Sequence, residues 1–234
     1  MSEEIQAEDL WYRRMPRESV REAALGSDAG FASGARRLGG AKLKRLLDIA
    51  GALAGLAILA PLLVLVAVLI RLESPGPILF RQRRTGYGGA TFVIYKFRTM
   101  AVSEDGPHVV QATRDDCRAT RLGRILRRTS IDEFPNLINI LKGEMSLVGP
   151  RPHALAHDRY WSTLVPGYEG RFMTKPGLTG LAQVEGYRGE TPNVESMAGR
   201  IAYDLKYIRE WSIGLDLKII ARTLMIGPFD PAAY

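Results

Sequence analysis

Only one cysteine, Cys117, and three histidines occur among 234 residues. A single thiol excludes an internal disulfide framework. No Gly-x-x-x-x-Gly-Lys-Ser/Thr loop, no Gly-x-Gly-x-x-Gly turn and no paired Cys-x-x-Cys occurs, so the usual nucleotide-loop and zinc signatures are missing. His153 and His157 have the i, i+4 spacing of metal ligands, but no Glu follows His153 in the zinc-protease manner and no third ligand stands out. They read as surface histidines. Negative charge is also scarce: 25 acids face 32 lysines and arginines, for a formal charge of +7. Such a surface suits an acidic partner, whether lipid, nucleic acid or a phosphorylated substrate. The arginines are not interleaved with aromatics in a stacking pattern, which argues against nucleic acid.

Long apolar runs are few, and one dominates. "LLDIAGALAGLAILAPLLVLVAVLI" (46–70) carries a single charge, Asp48, and none from Ile49 to Ile70. As a helix those 22 residues reach about 33 Å, close to the hydrocarbon thickness of a bilayer. Both flanks are basic, with Lys42, Lys44 and Arg45 before and Arg71, Arg81, Arg83 and Arg84 after, so the positive-inside rule selects no orientation for a spanning helix. A re-entrant helix that bends at Pro61 and leaves on the side it entered puts both basic ends in the cytoplasm, and this reading is preferred to a simple span.

Around this segment the pattern predicts an α+β protein in three parts. Residues 1–41 are rich in Arg, Glu, Gly, Ala and Ser and read as mostly disordered, with a short helix allowed near "LWYRRMPRESVREAAL". Residues 42–72 form the membrane helix, and 73–234 a mainly helical cytoplasmic catalytic domain with amphipathic interfacial helices. "ILFRQRRTGYGGATFVIYKFRTM" reads as a β-hairpin turning at Tyr87-Gly88-Gly89, with Arg81, Arg83, Lys96 and Arg98 alternating against apolar residues to present one cationic face. "CRATRLGRILRRTS" predicts a short basic helix and "EFPNLINILKG" a second, stopped by Gly143. Pro150 and Pro152 hold Arg151 in extended backbone. Met197, Ile201, Leu205 and Ile208 recur at helical spacing from Val194 to about Trp211, and "LDLKIIARTLMI" predicts a last amphipathic helix, on the membrane surface or in the core.

Asp132 and Glu133 stand together beside Arg124, Arg127 and Arg128. Ser130-x-x-Glu133 matches a capping box, but Pro135 would then fall where its missing N–H removes a helix bond. The helix therefore starts between Asp132 and Phe134, with Pro135 in its first turn. There a carboxylate can be a first-turn acid, a phosphate neighbour or a nucleophile. Arg151, locked between prolines, loses little freedom on gripping a phosphate, or serves an internal salt bridge. Lys96, Arg98, Lys175 and Arg188 are further cationic candidates. Asp204, between Tyr203 and Tyr207 on the long helix, reads as a solvated helix residue in preference to a buried polar partner.

The ordered succession "KRLLDIAGALAGLAILAPLL", "GPILFRQRRTG", "YKFRTM", "LGRILRRTSIDEFPNLINILKGEMSLVGPRP", "KPGLTGLAQVEGYRGET" and "YDLKYIREWSIGLDLKII" resembles the bacterial sugar transferases, the monotopic phosphoglycosyl transferases, from about Lys42 onward. The resemblance implies a bacterial inner-membrane enzyme, catalytic domain on the cytoplasmic face, moving a sugar 1-phosphate from a nucleotide sugar to polyprenyl phosphate to begin exopolysaccharide, capsule or O-antigen synthesis. It implies Asp132 as nucleophile, Glu133 as general base, and Mg²⁺ held through Asp132. It also implies Arg128 and Arg151 beside the pair; Lys96, Arg98, Arg188 and Asp204 are further candidate phosphate or substrate ligands, and homodimerisation is left open. "GYRGET" and the closing Ala-Tyr look like members that use UDP-glucose or UDP-galactose. Two stretches depart from the family pattern. Ala60 stands where many members have Ser before the proline, and "LAQVEG" replaces the usual Trp-Ala-Gln-Val-Asn-Gly, so Leu181 and Glu185 are expected to alter the nucleotide or sugar pocket. The competing reading is a non-catalytic basic protein that binds anionic lipid or recruits envelope enzymes; it accounts for the charge but not for the acid pair beside a proline-locked arginine.

Overall fold

The computed structural model describes residues 29–101, 113 and 116–226. Helix α1 (Ala29–Gly39) lies within the stretch read as mostly disordered. Its small residues permit close packing: Phe31, Ala35 and Leu38 are buried, and a Cβ on Gly34 would come within 2.4 Å of the Ile208 carbonyl. The helix allowed near residues 10–25 lies outside the described residues.

Helix α2 (Lys42–Glu73) is continuous through Pro61, and an apolar helix of 32 residues is long enough to cross a bilayer. Both of its ends dock on the same body. At the first, Lys44 Nζ meets Asp216 Oδ2 at 2.8 Å and the Val148 carbonyl at 3.1 Å, while Arg45 donates to the Ile140 and Leu141 carbonyls. Asp48, the one charge in the apolar run, accepts from Ser146 Oγ and the Leu147 N–H, both at 2.9 Å, so its burial is compensated. At the other end Val66 and Ile70 pack against Phe97 and Leu126, and the Arg98 guanidinium donates to the Ser74 and Pro75 carbonyls. Between these anchors Leu53, Ile58, Val64 and Leu65 are exposed.

Strands β1 (Leu79–Thr85) and β2 (Thr91–Phe97) form the expected antiparallel hairpin. Their register places Phe80 opposite Lys96 and Arg81 opposite Tyr95. The four cations therefore do not share a face: Arg81 and Arg83 point outward, whereas Lys96 lies on the inner face with buried Ile94, and Arg98 continues inward. Helix α3 (Arg121–Thr129) begins at the Thr120 cap and is followed by a 3₁₀ turn (Ile131–Glu133) and α4 (Asn136–Lys142). Gly143, at φ +84°, stops α4 as expected. Asn139, fully buried on α4, ties down the hairpin edge: its Nδ2 donates to the Val93 carbonyl at 2.6 Å and its Oδ1 accepts from the Tyr95 N–H.

Strand β3 (Ser146–Val148) pairs in parallel with β4 (Gly177–Thr179). The backbones cross so closely that a Cβ on Gly177 would sit 2.1 Å from the Gly149 nitrogen. Helix α5 (Leu155–Leu164), a 3₁₀ segment (Tyr168–Met173) and short α6 (Leu181–Val184) lead to α7 (Val194–Glu210) and α8 (Ile213–Ile226). Met197, Ile201, Leu205 and Ile208 of α7 form the centre of the main core, as their periodicity predicted. Helix α8 contributes to the core through buried Ile219 and leaves Leu217, Leu224 and Met225 exposed.

Candidate active site

The acid pair sits in the sharp link between α3 and α4. Ser130 ends α3 in the left-handed region at φ +56°, the single described non-glycine residue there, a conformation that costs about 1–3 kcal/mol and tends to mark function. Its side chain makes no capping bond to Glu133; its carbonyl accepts the Glu133 N–H instead. The helix starts later than the sequence suggested: Ile131–Glu133 form a separate 3₁₀ turn, and α4 begins at Asn136 with Pro135 as its N-cap residue, outside the first turn.

Glu133 is gripped from two sides. Arg151 meets it as a fork, Nη2 to Oε1 at 2.5 Å and Nη1 to Oε2 at 3.0 Å, and Lys96 Nζ reaches Oε1 at 2.7 Å. Asp132, 8% exposed, forms no ion pair among the described residues. Burial raises Asp132 to about 6, reinforced by Glu133 and opposed by Lys96, Arg151 and Arg127. Burial also opposes ionisation of Glu133, but Arg151 and Lys96 outweigh it and hold Glu133 well below the carboxylate range. Adjacent carboxylates thus differ in kind, one held as an anion by its cations and the other raised to about 6, so that it ionises less readily than an ordinary aspartate. A carboxylate so depressed is a weak base, which disfavours the general-base role that the family resemblance implied for Glu133.

Arg151 owes its position to a backbone whose carbonyls are all occupied. The Gly177 N–H donates to Pro150, Arg171 Nη2 to Arg151 at 2.5 Å, and Arg84 Nη1 to Pro152 at 3.1 Å. Behind it, Arg171 pairs with Asp204 Oδ2 at 3.0 Å and touches His153 Nδ1 at 2.6 Å, while Tyr168 donates to Asp158. Two sequence expectations are corrected here. His153 is a buried member of this cluster, not a surface histidine, and burial beside Arg171 and Arg200 holds it neutral. Asp204 is likewise buried, neither solvated nor beside the dyad; burial raises it to about 6 against the pull of Arg171 and Arg200. Arg84, Arg171 and Arg200 escaped the sequence reading because nothing local distinguishes them from solvated arginines.

The remaining candidates separate. Arg188 hydrogen-bonds the Ser130 hydroxyl and borders the site, and Arg200 Nη2 fixes its loop through the Gly189 carbonyl at 2.6 Å. Arg128 is exposed on the last turn of α3; Arg127 is the arginine of that pair whose charge acts on Asp132. Arg98 is spent on the end of α2, and Lys175 lies near Gly143 and Arg45. Leu181 belongs to the core, and Glu185 pairs with Arg222 of α8. A cavity of about 480 Å³ extends from Ser130, Glu133 and Arg188 to α2 and α8.

A carboxylate pair set among fixed cations, in one body with an apolar helix long enough to cross a bilayer, is an arrangement suited to anionic substrates. The family model described as bacterial sugar transferase matches residues 40–228, and the chain belongs to that family. It is 60% identical over 181 residues to the UDP-glucose:undecaprenyl-phosphate glucose-1-phosphate transferase of Caulobacter vibrioides, covering 77% of this chain and 68% of that protein. It is 48% identical over 202 residues to the Escherichia coli protein of the same name, covering 86% of this chain and 43% of that one. A UDP-N-acetylgalactosamine-undecaprenyl-phosphate N-acetylgalactosaminephosphotransferase of Aeromonas hydrophila is 40% identical over 183 residues, covering 78% and 43%.

No cluster of three or more metal-ligating side chains occurs among the described residues. That donor set still fits Mg²⁺, which commonly takes one or two carboxylates and completes its shell with substrate phosphates and water. Asp132, the carboxylate not consumed by Arg151 and Lys96, is the residue that would hold it.

Proposed function

We propose that the protein transfers a hexose 1-phosphate from a UDP-sugar, UDP-glucose before UDP-galactose, to undecaprenyl phosphate, releasing UMP, and so begins an exopolysaccharide, capsule or O-antigen. The observation that carries this reading is the division of labour in the acid pair: Glu133 is locked to Arg151 and Lys96, and Asp132 beside it is not. Asp132 Oδ attacks the sugar-bearing phosphorus; an O–P bond forms, the bond to the bridging oxygen breaks, and the electron pair leaves with UMP. An oxygen of the acceptor phosphate then attacks the same phosphorus, the aspartyl bond breaks, and a diphosphate-linked sugar departs with the carboxylate restored. Neither step requires Glu133 to accept a proton. Arg151 and Lys96, neutralised in part by Glu133, lower the repulsion between a carboxylate and an anionic diphosphate. Mg²⁺, when bound at Asp132, supplies further charge neutralisation to the phosphates.

The docking of both ends of α2 on one body supports a re-entrant helix at the cytoplasmic face of the inner membrane. A straight helix of 32 residues would hold its ends about 48 Å apart, beyond a hydrocarbon core of about 30 Å. Lys44 and Arg98 nevertheless tie the two ends to one domain, whereas a simple span would put those ends on opposite faces of the bilayer. Intact-mass measurement after mixing the protein with Mg²⁺ and each of several UDP-sugars, without lipid, tests the chemistry. A hexose-phosphate adduct with stoichiometric UMP, absent in Asp132→Asn, is expected. No adduct and no UMP, even with polyprenyl phosphate added to a folded protein, would leave a basic membrane-surface protein instead.

A further inference from the structure

We propose that the cavity of about 480 Å³ between α2, β3, β4 and α8 is the site that takes the first isoprene units of the acceptor lipid into the protein. The inference rests on the phosphosugar-transfer reading and concerns the acceptor half of it. The walls are mostly apolar, with Leu47, Leu147, Leu178, Leu217, Ile220 and Leu224 among them. Most polar groups on those walls are consumed by one another. Lys44 pairs with Asp216 at 2.8 Å, Asp48 accepts from Ser146 and Leu147, and the hydroxyls of Thr179 and Thr223 bond at 2.6 Å. Gln183 Oε1 is an exception among the described residues, a buried acceptor with no partner. A nucleotide diphosphate needs many donors, and such a lining offers it few; a hydrocarbon chain needs none.

Position selects the chain further. One wall is the beginning of the membrane helix and another is α8, whose Leu224 is exposed, so the cavity lies beside the bilayer; Ser130, Glu133 and Arg188 place it against the dyad. Size matches too. An apolar cavity of about 150 Å³ accepts one six-carbon ring, so about 480 Å³ admits roughly three five-carbon units. A chain already dissolved in lipid gains little hydrophobic energy by entering. The cavity instead contributes alignment, holding the terminal phosphate at the dyad while the rest of the chain stays in the membrane.

The test separates the two half-reactions in the full chain in detergent micelles. Ile220→Trp and Leu217→Trp each put an indole into the cavity. The adduct and UMP burst from UDP-sugar alone are expected to persist, showing a folded donor site, while the acceptor KM rises about tenfold or more. With the wild-type protein, polyprenyl phosphates of one, two, three, four and eleven units are expected to improve steeply up to about three units and little beyond. Unchanged acceptor KM in a variant that retains its burst would overturn the proposal. So would equal use of the one-unit acceptor, or a higher donor KM with the acceptor KM unmoved, which would place the nucleotide in the cavity. A variant that loses its burst is misfolded, and the chain-length series then decides alone. Absence of adduct and UMP in the wild-type protein, with polyprenyl phosphate as well as without it, would refute the transfer reading itself, a result distinct from all of these.

Discussion

Replacing Asp132, the proposed nucleophile, is expected to stabilise the protein. Burial raises Asp132 from the ordinary aspartate value of 3.8 to about 6, so the folded state binds a proton more tightly than the unfolded chain does. The sign follows: the native state carries no penalty below about pH 4, and loses stability as pH rises through 6 and Asp132 must ionise in a buried site. By linkage the full cost at pH 7 is about 3 kcal/mol, an upper value because water can enter a working site. Asn cannot ionise. Asp132→Asn should therefore gain up to about 3 kcal/mol at pH 7, roughly 5–10 °C in Tm for a domain of this size, and the gain should vanish towards pH 4. The assay is thermal unfolding in micelles with EDTA present, since a bound cation would itself favour the ionised carboxylate. A variant less stable than wild type at pH 7, or a difference that does not change between pH 4 and 7, would refute the claim that this carboxylate is held at the expense of stability.

Glu133→Gln should slow adduct formation without abolishing it and shift its acid limb to lower pH, because the neighbouring charge that helps to raise Asp132 is gone; no adduct at any pH in a folded variant would make Glu133 the base after all. Arg151→Lys retains the charge but cannot reproduce the fork on Glu133, a loss of about 1.5–3 kcal/mol, so the burst rate should fall roughly 10- to 100-fold; a rate within twofold of wild type would contradict this. Lys44→Met leaves Asp216 with Tyr207 and Trp211 but no cation. Loss of one partner of so buried a pair costs about 3–5 kcal/mol, read as a lower Tm and faster proteolysis of α8, and unchanged unfolding would show the pair to be dispensable.

Much of the fold was legible because its signals are local. The uncharged run of α2, the glycine turn of the hairpin, the proline–glycine brackets of α4 and the 3.6-residue period of α7 each act within one element. What escaped was contact across the chain. Alternation along β1 and β2 suggested one cationic face, but cross-strand register decides which side each residue takes, and it sends Lys96 inward to Glu133. Helix α1 was hidden by its composition: Ala and Gly read as disorder until α7 supplies the backbone against which Gly34 packs. Asp204 and His153 were placed in solvent because Arg171, which pairs with Asp204, and Arg200, which meets His153, come from distant segments.

The acid pair shows the same limit at the site itself. Sequence adjacency identified Asp132 and Glu133 as a unit, and nothing in adjacency distinguishes the work of two neighbouring carboxylates. Environment does. On a tight 3₁₀ turn successive side chains diverge, so Glu133 meets the hairpin lysine and the proline-locked arginine while Asp132 does not. Glu133 then satisfies two cations that would otherwise repel each other, and its charge in turn hinders ionisation of Asp132. Under the proposed transfer mechanism, a substrate phosphate entering this site would compete with Glu133 for Arg151 and Lys96. To the extent that it drew them away, their attraction would shift from Glu133 to the phosphate under attack, and donor binding would make its own phosphorus more electrophilic beside Asp132.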